Sequence, residues 1–248
     1  MAPITVMQRH ELKYKISAEQ VEFLKQNLKD YVTEDKFGFS KIMSLYYDTP
    51  DYRLIRTSIE KPLFKEKIRL RSYGLATQTS PVFLEIKRKI EGVVYKRRVQ
   101  TTVKQSNDFF AYKGEISEDT QIARELKYFR DYYKTLAPAC LIMYDRLAYK
   151  GTDGIRITID YDIKYRITDL SLDKSVEGNK LLDDGSSILE IKAQGAYPLW
   201  LVKILEEGKI YKTGFTKYGT VYKNHIINIH GKVKEDGNIQ HDIHVGVN

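Results

Sequence analysis

The sequence predicts an α+β domain whose mainly antiparallel sheet closes into a barrel, polar inside and covered by helices outside. Three observations carry this. Strand-like segments alternate charged and aliphatic residues, segments of helical period interrupt them, and the charged faces are dominated by Lys and Arg.

The elements follow in order. Residues 7–16 read as a strand. Ser17-x-x-Gln20 is a capping-box pattern that opens a helix with an apolar stripe of Val21, Leu24, Leu28 and Val32. Residues 42–47 form a second strand, closed by Asp48-Thr49-Pro50-Asp51, where Asp48 caps a turn. Strands follow at 67–73, 82–89 and 93–101, the last two joined by the hairpin signal Ile90-Glu91-Gly92. Residues 106–136 are mainly helical, with Ile122, Leu126, Phe129 and Tyr133 as the buried stripe. Strands resume at 141–149 and 155–161, residues 168–185 read as a polar loop, and 188–193 is a further strand. A short helix spans 198–207 and a last one 215–224. No domain boundary is visible, so residues 1–230 form one domain and 231–248 a polar tail.

The alternation is the informative part. In Lys67-Ile68-Arg69-Leu70-Arg71 the cations share one face and the aliphatics the other. Glu85 and Lys87 lie opposite Val82, Leu84 and Ile86; Arg156, Thr158 and Asp160 lie opposite the isoleucines of their strand. Glu190 and Lys192 repeat the scheme, as do Glu11, Lys13 and Lys15, and Lys96 with Arg98. A half-exposed sheet with one solvated face gives the same pattern strand by strand. The helices, however, need the aliphatic faces to pack on, which leaves the charged faces inside. Such an interior suits a polyanion: Arg matches phosphate oxygens with forked donors and Lys adds compact charge. The interspersed carboxylates suit a hard metal ion bound together with phosphate.

Composition narrows the classes. The net charge of +8 points to a polyanionic partner without choosing it. No apolar run approaches the roughly 18 residues of a membrane helix, and no signal peptide is visible at the N-terminus. The single cysteine, Cys140, sits in an apolar stretch and is read as structural; a cytoplasmic setting is expected. His225, His230, His241 and His244 form no metal-ligand spacing. The 19 tyrosines read as core and interface residues, and Arg97 alternates away from Lys96 and Arg98, so nucleic acid is not the expected partner.

The ordered segments resemble a known family. They are Glu11-Leu12-Lys13-Tyr14, Leu45-Tyr46-Tyr47-Asp48-Thr49, Ile68-Arg69-Leu70-Arg71, Leu84-Glu85-Ile86-Lys87, Tyr95-Lys96-Arg97-Arg98, Tyr144-Asp145-Arg146, Arg156-Ile157-Thr158-Ile159-Asp160, Leu189-Glu190-Ile191-Lys192 and Phe215-Thr216-Lys217-Tyr218. Together they resemble the triphosphate tunnel metalloenzymes, and within these the VTC domain of polyphosphate polymerases. The resemblance implies a tunnel of about eight antiparallel strands. It implies transfer of the ATP γ-phosphate to a growing polyphosphate chain with Mn²⁺ or Mg²⁺. It assigns catalysis to Lys13, Arg69, Arg71, Lys87, Arg146 and Arg156. Lys96, Arg98, Lys192, Thr216 and Lys217 bind substrate, and Glu190, with Glu85 and Glu11, holds the metal.

Two departures refine this. Hydrolytic tunnel enzymes typically open with Glu-x-Glu-x-Lys; here Arg9 stands in place of the first Glu, before Glu11 and Lys13, which favours the polymerase branch. The eukaryotic polymerase is linked to membrane-spanning segments and a phosphate-sensing SPX domain. This sequence shows neither, so no membrane segment of its own is expected, and a membrane or protein partner stays open. Tripolyphosphate or nucleoside-triphosphate hydrolysis, and non-catalytic polyphosphate binding, remain the alternatives.

Overall fold

The computed structural model describes residues 10–91, 93–116, 120–151 and 154–227, with backbone only at residue 37. The start of the first strand with Arg9, Gly92 of the hairpin, the tail 231–248 and His230, His241 and His244 lie outside the described residues.

The chain runs β1 (His10–Ile16), α1 (Ala18–Leu28), β2 (Val32–Asp48), α2 (Arg53–Ile59), β3 (Phe64–Tyr73), β4 (Pro81–Ile90) and β5 (Val93–Thr102). It continues α3 (Val103–Phe110), α4 (Gln121–Tyr133), β6 (Ala137–Gly151), β7 (Arg156–Arg166), β8 (Asn179–Lys180), β9 (Ser187–Ala193), α5 (Leu199–Glu207) and α6 (Lys217–Val221). A π-helical turn, Tyr222–Ile226, extends α6. The capping box at Ser17 and Gln20 forms as the sequence predicts. Val32, expected in the helical stripe, instead opens β2, which is much longer than the six residues expected because residues 32–34 and 39–48 pair with β6. The helix α2 has no counterpart in the sequence reading, because about two turns after Pro50 carry too little periodicity to register. The helical stretch 106–136 splits into α3 and α4, with Gly114 between them.

The sheet is antiparallel, in the order β1-β9-β7-β6-β2-β3-β4-β5, with β8 on β7. It does not close. Among the described residues no ladder joins the edge strands β1 and β5, so the expected closed barrel is corrected to an open sheet. Backbone pairing explains this: the free edge of β1 is taken by residues 212–213, where Lys212 bridges Tyr14 and the Thr213 N–H donates to the Lys13 carbonyl at 2.7 Å. The sheet nevertheless curls. Five strands separate β1 from β4 in the ladder order, which in a flat sheet means a span of about 29 Å. Yet Glu11 Oε2 lies 3.6 Å from Lys87 Nζ. The charged face is therefore concave, and side chains rather than backbone bridge the gap.

Two apolar clusters cover the convex face. Ile68, Leu70, Leu84 and Ile86 pack with Phe109 of α3 and Leu126 and Phe129 of α4. Ile157, Ile159, Leu189 and Ile191 pack with Leu24 and Leu28 of α1 and Leu201 and Ile204 of α5. The aliphatic and the charged residues of these strands thus take opposite faces, as the alternation predicts.

The third cluster departs from expectation. Tyr218, Val221, Tyr222 and Ile226 pack with Ile42, Tyr46, Ile142, Tyr144 and Ile188, several of which stand on the charged face of their strands. The C-terminal helix therefore plugs part of the concave side rather than lying outside. Tyr218 stacks on Tyr46 at 4.9 Å and donates its hydroxyl to Asp48 at 2.9 Å. Asp48 also accepts the N–H groups of Thr49, Leu54 and Ile55 at 2.8–3.0 Å, so it is the turn cap the sequence suggests. Burial pushes its carboxyl up, against those hydrogen bonds. Asp48→Ala strands the first N–H groups of α2 and the Tyr218 hydroxyl; we expect a loss of about 3 kcal/mol in urea denaturation. Among the described residues no helix is long and apolar enough to cross a membrane.

Candidate functional site

Three carboxylate centres organise the concave face. The first is Glu85 on β4, whose side chain is 1% exposed. Arg69 of β3 reaches it at 2.8 Å, Lys96 of β5 at 2.8 Å, Arg98 at 3.6 Å and Arg71 at 4.0 Å. Register produces this cage, because Arg69 and Arg98 both sit directly opposite Glu85. Burial alone would raise the Glu85 carboxyl; Arg69, Arg71 and Lys96 bring it down to about 2. Aromatic rings hold the cations in place. Arg69 donates to the Tyr46 hydroxyl at 3.0 Å, and the Arg98 guanidinium lies 3.5 Å from the Phe83 ring centre.

The second centre pairs Glu190 of β9 with Glu11 of β1. Glu190 contacts Lys192 and lies 3.7 Å from Lys13; Glu11 lies 3.2 Å from Lys13 and 3.9 Å from Lys192. Burial opposes the charge of Glu190, but Lys192, Lys13 and Arg146 hold its carboxyl well below the usual range. Burial and Glu190 likewise oppose ionisation of Glu11, and Lys87, Lys13 and Lys192 outweigh them. Thr158 of β7 stands opposite Glu190, and its buried hydroxyl has no hydrogen-bond partner.

The third centre is Asp160, fully buried between Arg146, at 2.6 and 2.8 Å, and Lys217 of α6. The Lys217 ammonium also lies 4.4 Å from the Tyr144 ring centre. The plugging helix thus delivers its one cation of the set to the same surface.

Most of the sequence-derived residues come together here: Lys13, Arg69, Arg71, Lys87, Lys96, Arg98, Arg146, Lys192 and Lys217. Arg156 sits at the rim, gripped by Asp35 at 2.8 Å. Thr216 is exposed and accepts the Gly219 N–H, capping α6 just before Lys217. Lys67 also belongs to the surface, and its alternation with Arg69 and Arg71 is the sequence signal that marks it. Desolvation, with Lys87 and Lys13 nearby, lowers its ammonium to about 8. Tyr46 of β2 and Tyr144 of β6 also face the site, and read as core in sequence because neither strand shows charge alternation there.

The carboxylates decide what a metal could use. Among the described residues no three His, Cys, Asp or Glu side chains cluster as a self-sufficient metal site. Glu11 and Glu190, with the unsatisfied Thr158 hydroxyl beside them, fit a hard ion that takes its other ligands from phosphate oxygens. Glu85 and Asp160 are each committed to two or more close cations.

The fold is shared with a protein from Bacillus halodurans provisionally named an adenylate cyclase: TM-score 0.53 at 13% identity, over 85% of this chain and 96% of that one. The PH1819 protein from Pyrococcus horikoshii OT3 aligns at TM-score 0.46 and 16% identity, over 88% and 100% of the two chains. A provisionally named adenylate cyclase from Vibrio parahaemolyticus aligns at 0.47 and 11%, over 86% and 97%. No curated protein sequence matches. The VTC domain sequence pattern matches residues 8–225, which spans every element that builds the concave face. The chain belongs to the VTC domain family.

Proposed function

We propose that the concave face binds a chain of phosphates and transfers the γ-phosphoryl group of ATP to the end of a polyphosphate. One observation carries this: the cations of the face outnumber its carboxylates, and Lys67 has no carboxylate partner among the described residues. A phosphate chain offers several closely spaced negative charges to Arg69, Arg71, Lys87, Lys96 and Lys13 at once. Membership of the VTC domain family supports the same reading.

In this reading a terminal oxygen of the polyphosphate attacks the γ-phosphorus of ATP. The new P–O bond forms as the bond to the bridging β–γ oxygen breaks, and ADP leaves. The attacking oxygen is already anionic, so no base is required, and catalysis rests on alignment and charge neutralisation. Arg69 and Arg71, fixed by Glu85, Tyr46 and Tyr144, orient the phosphates from the β3 side. Lys13 and Lys192 approach from the β1–β9 side, with Arg146 and Lys217 at the plugged end. Glu190 and Glu11 would hold Mn²⁺ or Mg²⁺, which would supply positive charge to the phosphates when bound.

The test is purified protein incubated with ATP and Mn²⁺ or Mg²⁺. Long phosphate chains and ADP support the reading. Free phosphate instead indicates a hydrolase, and binding without turnover a polyphosphate-binding module.

Lys67 adds a pH signature. Its ammonium, lowered to about 8, loses its charge as pH rises through that value, and the ammonium of Lys96 does the same. Affinity for tripolyphosphate should fall about tenfold between pH 7 and 9.5. Lys67→Met should bind more weakly at pH 7 and show a flatter profile. Parallel profiles for the two proteins would remove Lys67 from the site.

A further inference from the structure

A second cavity, of about 810 Å³, opens on the opposite side of the sheet. It lies between α2, α4 and the convex ends of β3 and β4. Alternation turns Glu66 and Arg88 into it and their neighbours Lys67 and Lys87 to the concave face, while Lys65, at the start of β3, lines the cavity although it shares the parity of Lys67. We propose that this cavity is a binding site for a nucleoside phosphate, distinct from the phosphate-chain site.

Charge comes first. Arg53, Lys65, Arg88 and Arg124 line the cavity against Glu66 and Glu125. Both carboxylates are already engaged. Arg88 bridges them at 2.9 and 3.1 Å, and Arg97 approaches Glu125 from outside at 3.5 Å. Arg53 and Lys65 have no carboxylate partner among the described residues; Arg53 leans on the rings of Tyr132 and Tyr133 at 5.8 and 5.6 Å. Lys65 donates to the Ser58 carbonyl, and burial, with Lys89 and Lys61 nearby, depresses its ammonium. The surplus is positive and lies on the wall where α2 meets β3.

Aromatic surface comes second. On the α4 wall Tyr128 and Tyr132 are 68% and 53% exposed, with near-parallel rings 6.2 Å apart. Phe64 and Ile90 continue this surface on the strands, 48% and 41% exposed. Such rings serve a flat heterocycle, and the volume falls within the range of small-molecule sites. An aromatic wall facing a cationic wall matches a base and a phosphate on one ribose. Inorganic phosphate chains lack anything for the aromatic wall.

The experiment uses adenosine 5′-monophosphate as the probe, titrated by calorimetry or NMR into protein saturated with tripolyphosphate. We expect one molecule to bind, with ribose 5-phosphate at least about tenfold weaker for want of the base. Tyr128 and Tyr132 are exposed, so the double substitution to Ala should leave the melting temperature unchanged and weaken AMP about tenfold or more. Arg53→Ala should weaken AMP and ribose 5-phosphate alike. Arg69→Ala should weaken tripolyphosphate without touching AMP. The proposal is overturned if tripolyphosphate displaces AMP one for one, if the double tyrosine variant binds AMP as wild type does, or if no AMP binds at millimolar concentration.

Discussion

Glu190→Gln should lower metal-dependent turnover by more than about 100-fold while tripolyphosphate affinity stays the same or rises. The carboxylate is one of two that fit a metal, and it sits among Lys192, Lys13 and Arg146. Gln keeps the size and removes the charge. The cations that hold the chain remain, and they lose an internal competitor. Removal of the charge also frees Lys192 and Lys13 to meet phosphate. The measurement is ADP release with Mn²⁺ beside a tripolyphosphate titration on the same preparation. Wild-type turnover would take Glu190 out of the reaction and leave Glu11 as the ligand.

Arg69→Ala should weaken tripolyphosphate binding by about 10–100-fold and reduce turnover at least as much. Arg69 is the centre of a small network rather than a lone contact: it meets Glu85 through Nε and Nη2 and Tyr46 through Nη1. Its loss removes a phosphate donor and also leaves the buried Glu85 with less compensation. Arg69→Lys should recover part of the binding but little of the orientation, since an ammonium cannot make the forked contact. A variant that binds and turns over normally would show that phosphates run elsewhere.

Much of this surface was legible in the sequence, for a physical reason. Strand period is two, so a buried aliphatic face fixes which residues must lie on the other side; Lys67-Ile68-Arg69-Leu70-Arg71 admits only one assignment once Ile68 and Leu70 are core. The capping box at Ser17 and the turn role of Asp48 were legible because both act within a few residues. What escaped depends on distant parts of the chain. Closure of a sheet is decided by whether two edges meet, and no local pattern records that residues 212–213 would occupy the free edge of β1. Tyr46 and Tyr144 look like ordinary core tyrosines until Arg69 and Arg71 are placed beside them. The plugging position of α6 likewise rests on Tyr218 reaching Asp48, a pairing across 170 residues. The outer cavity is formed by two helices and two strand ends, and none of its residues shares a sequence signature.

The central claim is that the curled, cationic face is the seat of the phosphate chain. A crystal structure grown with tripolyphosphate and Mn²⁺ tests it most directly. The account predicts the anion along Arg69, Arg71, Lys87, Lys96 and Lys13, with the metal between it and Glu190. An anion held only on the convex side, or a concave face whose ion pairs stay intact with tripolyphosphate bound elsewhere, would contradict it.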